Sequence, residues 1–312
     1  MAELDPLERH YRTYPVYLRR RFGAPVFRIS IDAGFSCPGR DGGKPCIYCN
    51  NESFSPSLSR STKPVSFQIR EALARRSWRG RYGGFIAYFQ PYTNTYAPVK
   101  HLKALYEEAL AVDGCLGISI GTRPDCVDGA VLDLLAELGS RAFITVEYGL
   151  QSPHQESLLW MKRGHTLEAF QDAVRNTSLR SIATGAHIIL GIPGETEPQM
   201  LETASIISGL PLTFLKIHQL QVVRGTVLAE MHDKNPFPLW SLGKYASFLC
   251  DFIEELRYDL VIQRLYSHSR PDLLIGPLWG GDRHHIENFI HRTIRATEVQ
   301  QGRRRGGQEG NP

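Results

Sequence analysis

The sequence predicts an α/β fold built around a parallel sheet. Short runs of apolar, β-branched and aromatic residues alternate with longer segments of helical periodicity. Strands separated by helices of this length form βαβ units, so the strands are expected to lie parallel in one sheet. Six such units are present, fewer than the eight that close a complete barrel. The pattern therefore predicts a partial (β/α)6 TIM-like barrel, with a flat doubly wound sheet as the alternative.

Six predicted strands follow one another through the first two thirds of the chain. They cover residues 26–31, 84–89, 116–120, 142–146, 186–190 and 214–218. The predicted helices between them cover residues 66–77, 98–112, 127–138, 166–177 and 198–208. Residues 26–222 are therefore the predicted core. Residues 1–25 mix Tyr and Arg, and we expect a helical or irregular segment there that packs across the start of the barrel.

The pattern changes after residue 222. A Pro-containing loop at 235–238 precedes a predicted helix at 241–256, a strand candidate at 260–265 and a last helix at 285–299. These elements are expected to form a C-terminal α+β extension, residues 223–299, that packs on the core. The tail 300–312 has no apolar periodicity and is predicted to be disordered.

Composition is that of a soluble globular protein, with 312 residues, 42% hydrophobic and 22% charged. No apolar run is long enough to span a bilayer, and the N-terminus lacks a secretory signal, so we expect a cytoplasmic protein with no membrane partner. Three of the six cysteines fall in one short loop and the others stand singly. This distribution is typical of a metal site in a reducing compartment and not of a disulfide framework.

The three clustered cysteines, Cys37, Cys46 and Cys49, have the spacing C-x8-C-x2-C on a Gly/Pro-rich loop after the first predicted strand. A closed zinc site needs four ligands, so zinc would require Cys126 or a histidine as well. An iron–sulfur cubane normally takes four cysteines, and three would leave one iron open to another ligand. Both metals remain open on spacing alone.

This loop, with Tyr48 before its last cysteine, resembles the cluster loop of radical S-adenosylmethionine (SAM) enzymes. The commonest spacing in that superfamily is C-x3-C-x2-C, and a longer first gap is typical of YhcC/YtqA-type proteins and of the Elongator catalytic subunit. Further stretches resemble the YhcC/YtqA type at residues 34–38, 88–97, 121–126, 149–152, 163–165, 191–195 and 271–274. The resemblance covers most of the chain outside its two ends.

The resemblance implies a partial barrel of radical SAM type in place of the flat sheet. It also implies a [4Fe-4S] cluster on Cys37, Cys46 and Cys49 whose open iron binds SAM. Such a cluster cleaves SAM to methionine and a 5′-deoxyadenosyl radical, while the protein holds SAM and places a C–H bond beside the radical. A flavodoxin- or ferredoxin-type protein would supply the electron.

Several residues are candidates for SAM binding. Tyr48 is expected against the adenine, although it would also serve to pack the loop. Gln90 and Tyr92 follow the second strand, where many radical SAM enzymes carry a Gly-Gly-Glu triplet that this chain lacks. Arg123 follows the third strand, and its guanidinium would suit the SAM carboxylate.

Glu147, expected at the end of the fourth strand, and Gln151 are candidates for the ribose hydroxyls or the amino group of SAM. Gly191 and Gly194 resemble a backbone segment that approaches adenine, or else form a plain tight turn.

Candidates for chemistry on the substrate are weaker. His187 and His218 lie within predicted strands, either facing the substrate or as hydrogen-bonded core residues. Lys216 is expected beside His218, and Cys126 is a candidate thiol.

Basic residues are concentrated in three places, which suggests RNA as a substrate and partner. They are Arg19–Arg21, a group at 75, 76, 79 and 81, and Arg303–Arg305. Such groups can neutralise phosphates, although solvated helix faces explain them equally well. Kinship with the Elongator subunit adds to the interpretation as a tRNA- or RNA-modifying enzyme. Radical chemistry on a small metabolite or a protein side chain is one alternative, and a zinc-stabilised RNA-binding protein without catalysis is another.

Overall fold

Seven parallel strands form one curved sheet, and most of the helices pack on its outer face. The computed structural model describes residues 6–42, 45–53, 63–75 and 80–306. The strands of the sheet, in spatial order, are β1 Val26–Ile31, β2 Gly84–Phe89, β3 Cys115–Thr122, β4 Phe143–Gln151, β5 Ala183–Leu190, β6 Phe214–Gln219 and β8 Val261–Arg264. Two short strands, β7 Val222–Val223 and β9 Leu274–Gly276, pair antiparallel beside it. The predicted partial barrel is confirmed, with one strand more than the six expected.

Ten α-helices are described, and all but α1 and α10 lie between strands in sequence. They are α1 Tyr14–Phe22, α2 Val65–Ala74, α3 Val99–Leu110, α4 Gly129–Gly139, α5 Gln155–Trp160, α6 Leu167–Ser178, α7 Glu197–Ser208, α8 Val227–Lys234, α9 Leu242–Glu255 and α10 Arg283–Ala296. Capping side chains fix several of the helix starts. Thr196 accepts from the backbone of Gln199 in a capping box that opens α7, and Asp128 accepts from Val131 at the start of α4. None of the described helices is long and apolar enough to cross a membrane.

The seventh strand, β8, was expected in the C-terminal extension but lies in the core sheet. Its backbone pairs in parallel with β6, with Phe214 opposite Val261. The helix α9 lies between the two strands in sequence and packs on α7, so this part of the chain is a further βα crossover. The extension therefore contributes a strand to the sheet and does not merely pack on it.

The amino-terminal end of the barrel is closed by α1. Tyr14 and Leu18 pack against Ile86, Phe143 and Phe214, which come from three different strands. The Tyr14 and Phe214 rings meet edge to face with centroids 5.3 Å apart. This apolar plug is what the sequence led us to expect of the N-terminal segment, and it leaves the other end of the barrel open.

The prediction of a disordered tail is wrong for residues 300–306, while 307–312 lie outside the described residues. The Gln301 side chain accepts from the backbone N–H of Arg12 and donates to the carbonyls of Arg257 and Leu260. Arg304 pairs with Asp251 and Glu254 on α9. The segment is ordered by polar contacts, which hydrophobic periodicity cannot reveal.

Candidate active site

A cavity of about 370 Å³ opens at the carboxyl ends of the strands, beside the loop that carries the three cysteines. Its volume is in the range of small-molecule and cofactor sites. The predicted residues that line it are Cys37, Cys46, Cys49, Tyr48, Gln90, Tyr92, Arg123, Glu147, Gln151, His187, Lys216 and His218. The fold therefore brings together side chains that the sequence disperses over 180 positions.

Each of the three thiols has a polar neighbour. Thr93 Oγ1 donates to Cys37 Sγ over 3.1 Å, and Arg163 Nη1 donates to Cys46 Sγ over 3.1 Å. The Cys49 thiol donates to Asn51 Oδ1 over 3.3 Å. All three cysteines are partly buried and free of disulfide bonds. They are therefore available as ligands, and their surroundings already hold two of the sulfurs in place.

The donor set at the mouth of the cavity fits an iron–sulfur cluster. Burial, then the neighbouring Cys46, raises the pKa of Cys49 to about 11, so metal binding would displace a proton from this thiol. Arg40 and Arg123 place positive charge near the sulfurs that would compensate an anionic cluster. No three His, Cys, Asp or Glu side chains in the described part of the chain are grouped to hold one metal ion. Cysteines of a cubane each bind a different iron, and their spacing is wider than that of ligands to one ion.

Two of the predicted SAM residues have left-handed backbones. Tyr92 has φ 68° and Gln151 has φ 74°, values that non-glycine residues rarely adopt. Both follow or end a strand at the edge of the cavity. Such conformations persist where the surroundings demand them, and they are concentrated at functional sites.

Because Gly149 on β4 has no side chain, the Gln151 and Arg163 side chains can pack against its backbone. A Cβ at this position would lie 2.8 Å from Gln151 Nε2 and 3.0 Å from Arg163 Nη2. Its carbonyl accepts hydrogen bonds from Arg163 and His165. This glycine therefore links the end of β4 to the arginine that contacts Cys46.

Glu147 lies inside the sheet and not at the end of its strand, because β4 continues to Gln151. Its side chain is buried and accepts hydrogen bonds from Ser119 (3.0 Å), His187 (2.9 Å) and Lys216. Arg28 Nη1 lies 3.6 Å from Oε1, the oxygen that also accepts from Ser119. Burial alone would raise the pKa of Glu147, but Lys216 and His187 outweigh it and hold that pKa well below its usual range. The carboxylate is ionised and its oxygens are already engaged.

The basic groups around Glu147 are shifted by burial. Burial, then Lys216, lowers the pKa of His187 to about 4. Burial, then Arg264, lowers the pKa of His218 well below its usual range. Both imidazoles are therefore neutral at pH 7. Burial likewise lowers the pKa of Lys216, against the attraction of Glu147, and Lys216 also donates to Tyr88 OH over 2.8 Å.

Three predicted site residues lie away from the cavity lining. A Cβ added at Gly191 would lie 3.5 Å from the Trp240 ring. A Cβ added at Gly194 would have no other atom within 4 Å. Cys126 lies beside a separate surface depression, and burial raises its pKa to about 11. Ile189, two residues before Gly191, lines the cavity, and the two glycines do not.

Sequence reasoning assigned no role to several residues that the structure places in the cavity or against Glu147. They are Arg28, Arg40, Tyr88, Thr93, Arg163 and Arg264. One signal was available for Arg28: polar residues alternate with apolar ones along Val26–Ile31, which places Arg28 and Ser30 on one face of the strand. The helices cover the opposite face of the sheet, so the face of Arg28 and Ser30 points into the barrel.

The arginine groups lie at the end of the barrel opposite the cavity. The Arg21 guanidinium stands 4.6 Å from the centre of the Phe143 ring, at the first residue of β4. Arg81 lies three residues before β2, and Arg303 pairs with Glu254 near the end of α9. Positions 76 and 79 lie outside the described residues. The described arginines of these groups are therefore not placed around the cysteines.

The sequence comparisons define the class of this protein. The profile of the Radical SAM superfamily matches residues 34–207, and that of the Radical_SAM C-terminal domain matches residues 212–296. The first match spans more than half of the chain, which therefore belongs to the radical SAM superfamily. It is a radical SAM enzyme, and its cofactors are a [4Fe-4S] cluster and SAM. The alternative of a zinc-stabilised protein without catalysis is wrong.

Similar proteins place the chain within that class. It is 33% identical over 299 residues to the uncharacterized protein YtqA of Bacillus subtilis, and this alignment covers 95% of this chain and 93% of YtqA. It is 32% identical over 271 residues to YhcC of Escherichia coli K12, covering 85% and 86%. The predicted kinship with the YhcC/YtqA type is confirmed.

More distant similarity leads to Elongator-like proteins. The solved structure of Methanocaldococcus infernus Elp3 has a TM-score of 0.66 at 15% identity, over 89% of this chain and 64% of that one, which shows a shared fold. A shorter match, 29% identical over 140 residues, joins 43% of this chain to 23% of a tRNA uridine(34) acetyltransferase from Methanocaldococcus jannaschii.

Proposed function

We propose that this enzyme cleaves SAM reductively on a cluster held by Cys37, Cys46 and Cys49. The observation that carries the proposal is that three free thiols line the mouth of the same cavity as the polar groups at the strand ends. When bound, the cluster supplies one electron that breaks a carbon–sulfur bond of SAM and gives methionine and a 5′-deoxyadenosyl radical. A flavodoxin- or ferredoxin-type donor and a cytoplasmic location are part of this proposal.

The chain's own residues hold and shield the reactants. Arg163 and Thr93 orient two of the ligand sulfurs through hydrogen bonds. Tyr48 packs on the apolar cluster that contains Ile189, a surface suited to the adenine of SAM. Gln151 presents an amide at the cavity edge, where SAM hydroxyl or amino groups would accept or donate.

Arg123 and Gln90 are already engaged. Arg123 forms a bidentate pair with Asp125 over 2.8 and 2.9 Å, and Gln90 donates to Ser30 over 2.9 Å. Arg123 keeps unshared N–H groups, because a guanidinium has five, so it still suits the SAM carboxylate while Asp125 fixes its orientation.

The first candidate for the substrate is a tRNA or another RNA. The shorter match to a tRNA uridine(34) acetyltransferase supports it. The arginine groups do not, since those described lie at the far end of the barrel. A small metabolite or a protein side chain is the second candidate, supported by the cations deep in the cavity around Glu147.

The test is anaerobic reconstitution with iron and sulfide, followed by dithionite and SAM, with 5′-deoxyadenosine as the product measured. We expect product from the wild type and from Cys115→Ala, whose thiol lies outside the cavity lining, and none from Cys46→Ala. Equal product from Cys46→Ala and the wild type would refute the ligand assignment. Binding of tRNA to the same preparation, measured at several salt concentrations, tests the first substrate candidate.

A further inference from the structure

The cations in and beside the cavity fall into two groups. Arg40, Arg123 and Arg163 lie around the thiols and interact electrostatically with them. A second group lies within the barrel around Glu147, at mid-strand positions of β1 and β6 and at the end of β8. Its members are Arg28, Lys216 and Arg264. We call this second group the inner cations.

The inner cations outnumber their counter-charges. Glu147 is the one carboxylate among the described residues that line the cavity. It faces Lys216 and Arg28 at once, while the imidazoles of His187 and His218 are neutral. Arg28 and Arg264 alone bring two positive charges against the one negative charge of Glu147, before Lys216 is counted. An excess of positive charge along a cavity attracts anions, so this arrangement favours a ligand that brings negative charge.

Arg264, one of the inner cations, and the neutral His218 have binding capacity to spare. Arg264 lines the cavity and is exposed there, and it forms no hydrogen bond or ion pair with any other residue that the structure describes. The Nε2 atom of His218 is buried and has no hydrogen-bond partner among those residues. Arg28, by contrast, is held between the rings of Tyr14 and Tyr88, at 5.0 and 5.3 Å from their centres. The positive charge of Arg28 is therefore fixed in position, whereas Arg264 and His218 can bind a ligand.

From this arrangement we infer that the inner cavity binds an anionic group of the substrate, a carboxylate or a phosphate, on Arg264 and His218 with Arg28 and Lys216 behind them. The inference rests on the proposed function, because it assigns the substrate side of the same cavity. The carboxylate of SAM is not the occupant, since SAM must reach an open iron beside the thiols, where the other arginines lie. A substrate anchored in this way carries its negative charge close to the C–H bond that reacts.

The experiment measures anion binding by the reconstituted, oxidised enzyme in the presence of saturating SAM. Inorganic phosphate is titrated by calorimetry at constant ionic strength, with chloride as the balancing anion. Arg264→Gln removes the free guanidinium, and Arg180→Gln is the matched control because Arg180 pairs with Asp133 on the outer helices. In parallel, each preparation is reduced and assayed for 5′-deoxyadenosine without substrate.

We expect wild type and Arg180→Gln to bind phosphate equally, and Arg264→Gln to bind it at least about tenfold more weakly. The wild type and Arg180→Gln should form 5′-deoxyadenosine. Acetate in place of phosphate distinguishes a carboxylate site from a phosphate site. Competition by tRNA for the phosphate site would identify RNA as the carrier of the group, and its absence would assign the group to a small molecule or a protein side chain.

Two results would overturn the inference. One is wild-type enzyme that forms 5′-deoxyadenosine but binds neither phosphate nor acetate. The other is Arg264→Gln that binds the anion as tightly as the wild type. If no preparation forms 5′-deoxyadenosine while the anion still binds at Arg264, the proposed SAM cleavage fails and the anion site alone stands.

Discussion

Glu147 is the residue on which the polar interior of the barrel depends. Its position in the cavity was predicted, because an acidic residue next to an apolar strand is rarely there for packing. Its surroundings were not predicted, since Ser119, His187, Lys216 and Arg28 come from four other strands, and only the pairing of the strands brings them together. Sequence reasoning therefore found the residue and assigned it to SAM, whereas in the structure its oxygens accept hydrogen bonds from other side chains.

Replacing Glu147 by Gln should destabilise the fold. Lys216, 2% exposed, would lose the negative charge beside it, and a broken buried ion pair typically costs about 3–5 kcal/mol. Urea unfolding at pH 7 measures the loss. Glu137→Gln is the control, because Glu137 pairs with Lys103 on the surface, where solvent screens the charges, and this variant should unfold like the wild type. A loss at Glu147 as small as that of the control would refute the role assigned to this residue.

His187 should make stability depend on pH between about 6.5 and 4. Its pKa is about 4 in the fold and 6.5 when unfolded, so in this window the unfolded chain binds more protons. Its contribution is therefore present above pH 6.5 and is lost as the pH falls towards 4. In His187→Gln the slope of unfolding free energy against pH should be shallower by up to about 1.4 kcal/mol per pH unit. An unchanged slope, compared with His284→Gln on the exposed face of α10, would contradict this assignment.

At the scale of elements, the cysteine loop is held by the helices that follow the strands. The N–H of Ile47 donates to the carbonyl of Met161 after α5, and Leu228 in α8 donates to the carbonyl of Ile47. Arg163, two residues beyond Met161, reaches Cys46. The cysteine spacing predicted the loop, but its partners lie more than 100 residues away and no local pattern indicates them.

Replacing Arg163 by Gln should weaken the hold on the cluster. The variant loses the hydrogen bond to Cys46 Sγ and the positive charge beside it. Groups that orient metal ligands typically contribute about 10- to 100-fold to metal affinity, so iron loss to a chelator should be about tenfold faster. The readouts are iron release and the reduction potential of the cluster, which should become more negative. Arg180→Gln should release iron like the wild type, and equal rates in both variants would exclude this role.

At the scale of the whole molecule, the alternation of strands and helices predicted the barrel, and two features escaped it. The strand β8 was predicted at 260–265, but its place in the core sheet was not, because β7, α8 and α9 separate it from β6 and interrupt the regular alternation. Gln301 holds the segment after α10 through hydrogen bonds to the backbone of Arg12, just before α1, and of Leu260, just before β8. Polar contacts between distant segments leave no periodicity in the sequence.

Replacing Gln301 by Ala tests whether that segment stabilises the molecule. The change leaves the N–H of Arg12 and the carbonyls of Arg257 and Leu260 without this partner, and we expect a loss of about 1–3 kcal/mol in unfolding free energy. Gln300→Ala is the matched control, because that neighbouring side chain is exposed. Equal stability of the two variants would show that the segment is ordered but does not contribute.

The central claim is that Cys37, Cys46 and Cys49 hold a [4Fe-4S] cluster with an iron open to SAM. The most direct measurement is the electron paramagnetic resonance spectrum of the reduced, reconstituted enzyme before and after SAM is added. We predict a [4Fe-4S] signal that changes on addition of SAM and is lost in the variant with all three cysteines replaced by Ala. A full-strength cluster signal in that variant, or a wild-type signal that SAM leaves unchanged, would contradict the claim.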